Sequence, residues 1–93
     1  MDDAGARTVA TIVNKRGLHA RASAKFVETV ARFQSEVTVK KDGAEVSGRS
    51  IMGLMMLGAS MGTTIQISAL GPDAEDAVSA LSRLIAAKFY EDA

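Results

Sequence analysis

Cysteine is absent from this chain, which removes disulfide bonds and thiolate metal sites and leaves packing alone to hold the core. The same absence suits a reducing compartment. Net charge is absent too. Eleven basic residues are matched by 11 acidic ones, a poor basis for a surface that neutralises nucleic-acid phosphates. Aromatics make up only 4% of residues, and no aromatic pair falls on a predicted strand, so base stacking lacks its usual platform. No nucleic-acid partner is expected. No apolar run reaches membrane-spanning length, and the opening "MDDAGART" lacks the basic-then-apolar order of a signal peptide. The expectation is a cytoplasmic protein without membrane insertion. With one histidine and no cysteine, only carboxylates remain to complete a metal site, so no metal is expected.

What is present is ordinary globular material, 47% hydrophobic and 24% charged over 93 residues. That suffices for one small domain, 1–93, and not for two cores. Residues 1–6, small and acidic, read as a loose end. "TVATIV", residues 8–13, predicts a strand, and Asn14-Lys15-Arg16-Gly17 a loop. The period then changes. Ala22, Phe26, Val30 and Phe33 recur at helical spacing with Val27 beside them, opposite Arg21, Lys25, Glu28 and Arg32, which predicts an amphipathic helix over 20–33. Val37 and Val39 alternate with polar residues, Asp42-Gly43 offers a tight turn, and 44–47 returns as a second strand. "SIMGLMMLG" reads as a short helix opening at Ser50, with Ile51, Leu54, Met55 and Gly58 on its inward face. Ile65, Ile67 and Ala69 alternate as a strand. After Gly71-Pro72 comes a last helix with Asp73, Glu75 and Asp76 in its first turn and Ala74, Ala77, Val78, Leu81, Leu84, Ile85 and Lys88 along one face. The order β-α-β-β-α-β-α gives an α+β domain, one antiparallel sheet with helices on a single side.

The functional reading turns on His19, within "NKRGLHARAS". Nothing like a nucleophile elbow surrounds any serine. A histidine can instead be the nucleophile itself, because a neutral imidazole nitrogen can accept a transferred group covalently. Position suits an anionic group. His19 stands at a helix entry, where free N–H groups and the positive dipole end gather anions. Arg21 is near enough to share that anion, Lys15 and Arg16 lie just upstream, and Gly17 permits a tight backbone approach. A lone histidine capping a helix is also an ordinary structural feature, and these residues alone do not choose between the two.

"GLHARASAKFV" resembles the active-site segment of the HPr family, the histidine-containing phosphocarriers of the bacterial phosphoenolpyruvate-dependent phosphotransferase system. Gly17, Leu18, His19, Arg21 and Phe26 carry the match. "GRSIMGLMMLGASMGTTIQI" resembles the family's serine region, in the family's order and spacing, and the resemblance spans about residues 8–89. It implies an open-faced β-sandwich with sheet order 1-4-2-3 and three helices on one face. It further implies that His19 accepts a phosphoryl group on Nδ1 from Enzyme I and passes it to a IIA-type protein, with Arg21 steadying the phosphate. Such a chain is a relay rather than a stand-alone turnover enzyme and needs no cofactor. It would serve sugar uptake or a nitrogen-type regulatory branch, and as a monomer. One departure stands out. Many members carry proline after the arginine where this chain has Ala22, a change the best helix former should tolerate.

Ser50 matches the serine that an HPr kinase/phosphorylase modifies in some members, and a regulatory docking module switched at Ser50 is the alternative reading. A hydroxyl there is also a natural helix cap. Ala20, Ile51, Met52 and Met56 are the partner-contact candidates, and the resemblance places Met52 at an apolar contact position next to Ser50. Flexible, polarizable methionines suit docking to several partners, although for Met56 filling a small core serves equally well.

Overall fold

The computed structural model describes residues 5–93. Strands β1 (Gly5–Thr11), β2 (Glu36–Lys41), β3 (Ala44–Ser47) and β4 (Thr64–Leu70) alternate with helices α1 (Ala20–Val30), α2 (Ile51–Met56) and α3 (Ala74–Ala86). The sheet is antiparallel in the order β1-β4-β2-β3. Its register explains the core. Thr8 lies opposite Ile67, Ile67 opposite Val39, and Val39 opposite Val46, so one row of β-branched side chains crosses all the strands on one face. The helices cover that face with Ala22, Phe26, Val30, Leu54, Ala77, Leu81 and Ile85, all buried. No helix among the described residues is long and apolar enough to cross a membrane.

Several boundaries differ from the sequence reading, each for a physical reason. Gly5 and Ala6 belong to β1 rather than to a loose end, because Gly5 pairs with Leu70 and Ala6 with Ala69; residues 1–4 of that expected end lie outside the described residues. β1 therefore runs over 5–11 instead of 8–13. Small residues at Ala6 and Ala10 hid the alternation. α1 stops at Val30 rather than Phe33, since the chain must turn to reach a captured loop. There Asp73 accepts hydrogen bonds from the Gln34 N–H (2.9 Å), the Ser35 N–H (3.0 Å) and the Ser35 hydroxyl. These donors, the Ser35 hydroxyl foremost, hold the Asp73 carboxyl below its usual range. Asp73 thus precedes α3 instead of sitting in its first turn.

α3 ends at Ala86, and Lys88 leaves its apolar face to become exposed. Lys88, Phe89 and Tyr90 all take positive φ (59°, 54° and 62°), a left-handed turn that reverses the chain. Such a run is costly for non-glycine residues, about 1–2 kcal/mol each. What offsets it here is the complete burial of the Phe89 ring. α2 also differs. Of its four expected inward residues only Leu54 is buried, with Leu57 joining it beyond the helix, while Ile51 and Met55 stay 40% exposed and Gly58 is exposed.

Candidate functional site

His19 is the N-cap of α1, extended at φ −72° and ψ −178°. Its main-chain carbonyl accepts the first helical bond, from the Ser23 N–H at 2.9 Å, which leaves the amides of Ala20, Arg21 and Ala22 as the unpaired N–H groups of a helix start. Ala22 sits in this first turn fully buried and without interrupting the helix. The approach to His19 is fixed from several directions. Gly17 turns at φ +63° so close to the neighbouring chain that a Cβ there would lie 2.4 Å from the Ala59 carbonyl oxygen. The Leu18 N–H donates to that same carbonyl (2.9 Å), and the buried Ser23 hydroxyl donates to the Leu18 carbonyl (3.1 Å).

The imidazole borders a cleft lined by Lys15, Arg16, Arg21 and Lys25 together with Tyr90, Glu91, Asp92 and Ala93. Arg21 is exposed and shares the cleft with His19, as its spacing suggests. The cations and the helix amides suit a phosphate, against the like charge of Glu91 and Asp92 in the same cleft.

The tail was not foreseen. After the left-handed turn, Glu91 returns to the ring and its Oε2 meets His19 Nε2, with only 17% of the histidine and 13% of the glutamate side chain exposed. Fully buried Asn14 supports it, donating from Nδ2 to Glu91 Oε1 (3.0 Å) and to the Gly17 carbonyl (2.9 Å). Burial works against the Glu91 charge, but the hydrogen bonds from His19 and Asn14, with Lys25 nearby, outweigh it and hold the carboxyl below its ordinary value of 4.5. Lys25, expected on the outer face of α1, donates instead to the Phe89 carbonyl (2.6 Å) and lies 5.9 Å from the centroid of the Tyr90 ring. The only sequence signal for this arrangement was a pair of aromatics, Phe89-Tyr90, just past the end of a helical pattern.

On its other side His19 shares a shallow groove with Met55, Gly58 and Ala59. α2 thus adjoins the histidine and presents Ile51, Met52 (68% exposed) and Met56 (80% exposed) to solvent. Such exposure excludes core-filling for Met56. Ala20 is exposed as well. Ser50 caps α2, its hydroxyl accepting from the Gly53 N–H at 2.8 Å.

The family model described as "PTS HPr component phosphorylation site" matches residues 6–87. This chain belongs to the HPr family. A phosphocarrier protein HPr from Xylella fastidiosa is 50% identical over 82 residues, covering 88% of this chain and 92% of that protein. A phosphocarrier protein NPr from Shewanella violacea is 42% identical and covers 87% of this chain and 89% of its own length. Among solved structures, an HPr from Thermoanaerobacter tengcongensis superposes with a TM-score of 0.90 at 45% identity, covering 95% of this chain and 99% of that one. The chain is accordingly an HPr phosphocarrier of the phosphotransferase system.

Proposed function

We propose that this HPr takes a phosphoryl group from phosphorylated Enzyme I onto His19 and hands it to a IIA-type protein of the sugar or nitrogen branch. The observation that supports this is the placement of one imidazole at the free amides of α1 within a cleft lined by Lys15, Arg16, Arg21 and Lys25. Those groups suit the roughly −1.5 to −2 charges of a phosphoryl group, and Arg21 is assigned to steady its oxygens. Incubation with phosphoenolpyruvate, Mg²⁺ and a compatible Enzyme I tests the relay by intact-protein mass spectrometry. One acid-labile phosphoryl adduct that is discharged by a IIA-type protein is the expected result. A folded chain that gains no adduct from an active Enzyme I would overturn it.

Ala20, Ile51, Met52 and Met56 are assigned to partner docking, since Ala20 follows the histidine at the start of α1 and the other three are exposed on α2, whose Met55 shares a groove with His19. Met52→Glu is expected to slow transfer from Enzyme I about tenfold, or 1.4 kcal/mol of docking energy. Because Met52 is exposed, stability should change by no more than about 0.5 kcal/mol. An unaltered transfer rate would remove Met52 from the interface. Ser50 is assigned as a regulatory position for an HPr kinase/phosphorylase, where a phosphate would add negative charge within the docking surface. Ser50→Ala should lose the kinase label and, through its lost cap, about 1 kcal/mol of stability in denaturant unfolding. Equal labelling of both proteins would exclude Ser50.

A further inference from the structure

Among the described residues, Glu91 is the carboxylate in contact with the His19 ring, and it is held there on all sides. The Asn14 amide donates to its second oxygen, Lys25 fixes the main chain before it at Phe89, and the Lys15 N–H fixes the chain after it at the Ala93 carbonyl (3.0 Å). We infer that Glu91 is a positioning residue for phosphoryl transfer: it accepts the Nε2 proton of His19 and so leaves the Nδ1 lone pair as the nucleophile. The inference rests on the reading of His19 as the phosphoryl acceptor.

The reasoning is about lone pairs. A neutral imidazole has one nitrogen bearing a proton and one able to attack, and the hydrogen bond made by one nitrogen decides the identity of the other. An ionised carboxylate can only accept. With Glu91 on Nε2, the proton belongs there and Nδ1 is free. The ring then need not spend time in the unreactive tautomer.

The charge balance follows the same geometry. The Nδ1 lone pair forms a new N–P bond as the N–P bond of a donor phosphohistidine breaks and its electron pair returns to the donor ring. His19 keeps its Nε2 proton and becomes positively charged, directly facing the Glu91 carboxylate. No proton has to arrive or leave. On onward transfer the electron pair returns to Nδ1 and the ring is neutral again. A carboxylate on the far nitrogen thus stabilises the charged ring as it does for the general base of hydrolase triads.

Imidazole ¹⁵N NMR on the full chain tests this at alkaline pH, alongside rates of phosphorylation by Enzyme I. Wild type should show one tautomer, Nε2–H. Glu91→Ala should show averaged shifts of two tautomers and accept the phosphoryl group about tenfold more slowly. Glu91→Gln, which keeps the length of the side chain but has one oxygen for the two donors Asn14 Nδ2 and His19 Nε2, should also lose the single tautomer and recover at most part of the rate; it covers the case in which Glu91→Ala loosens the tail. Wild-type ring shifts in Glu91→Ala, or an unchanged rate in both variants, would overturn the assignment. The NMR readout needs no partner, so a chain that accepted no phosphoryl group would defeat the relay reading while the spectra still judged Glu91.

Discussion

His19→Ala is expected to abolish phosphoryl acceptance while leaving the domain folded. The chain has no second imidazole, and the remaining nitrogens of the cleft belong to the ammonium and guanidinium groups of Lys15, Arg16, Arg21 and Lys25, which have no free lone pair to attack phosphorus. Label should therefore fall below detection rather than to a residual fraction. Stability should suffer much less. The histidine caps α1 through its main chain, not its side chain, and alanine supplies the same carbonyl. What is lost is one hydrogen bond to an ionised group, about 1–3 kcal/mol, while Asn14 continues to hold Glu91. Thermal unfolding and intact mass, measured on the same preparation, check both halves. Persistence of an acid-labile adduct in the variant would move the site elsewhere.

Gly17→Ala should be the most damaging substitution outside the core. The residue has φ +63°, and an added Cβ would lie 2.4 Å from the Ala59 carbonyl oxygen and 2.9 Å from the Ser60 Cα. Both obstacles are backbone, and that backbone is tied down. The Ala59 carbonyl receives the Leu18 N–H, the Ser60 carbonyl receives the Thr63 N–H, and the Gly62 N–H donates to Ile12. Left-handed backbone costs about 1–2 kcal/mol and overpacking about 1–3 more. A displaced segment would also carry His19 off its position over α1, and a misplacement near 1 Å can cost about 100-fold in rate. Gly58→Ala is the control. It has nearly the same φ, +65°, with nothing within 4 Å of its Cβ position, so it should lose only the conformational part. Equal destabilisation of the two variants would show that the approach to Ala59 is not the constraint.

The parts of this structure legible in the sequence were those encoded by near neighbours. The hairpin of β2 and β3 was plain because Val37 and Val39 alternate and Asp42-Gly43 supplies two positive-φ residues, at 51° and 85°. α3 declared itself through an apolar stripe. His19 and Arg21 were legible as a pair because helix entry and spacing place both on one cleft, and the chemistry proposed for them came from the family resemblance. Glu91 was not legible. Its partner lies 72 residues away, and the turn that returns it uses backbone conformations that no residue in "KFY" advertises. Asn14 looked like loop polarity for the same reason, since its burial depends on the tail above it. In α2 the helical period misled, because a helix of six residues makes too few turns for its stripe to be decided by sequence rather than by neighbours.

The strand order also governs how this chain acquires its reactivity. β4 is central, yet it forms late in the sequence, and Gly5 finds Leu70 only after nearly everything between them has been laid down. Closing such distant ladders makes folding slower than in a helical bundle of similar size. The loop before His19 depends on the same late partners, through Ala59 and Thr63. A chain emerging from the ribosome therefore exposes its histidine long before it can arrange it. The geometry around His19 is in that sense a property of the completed sheet.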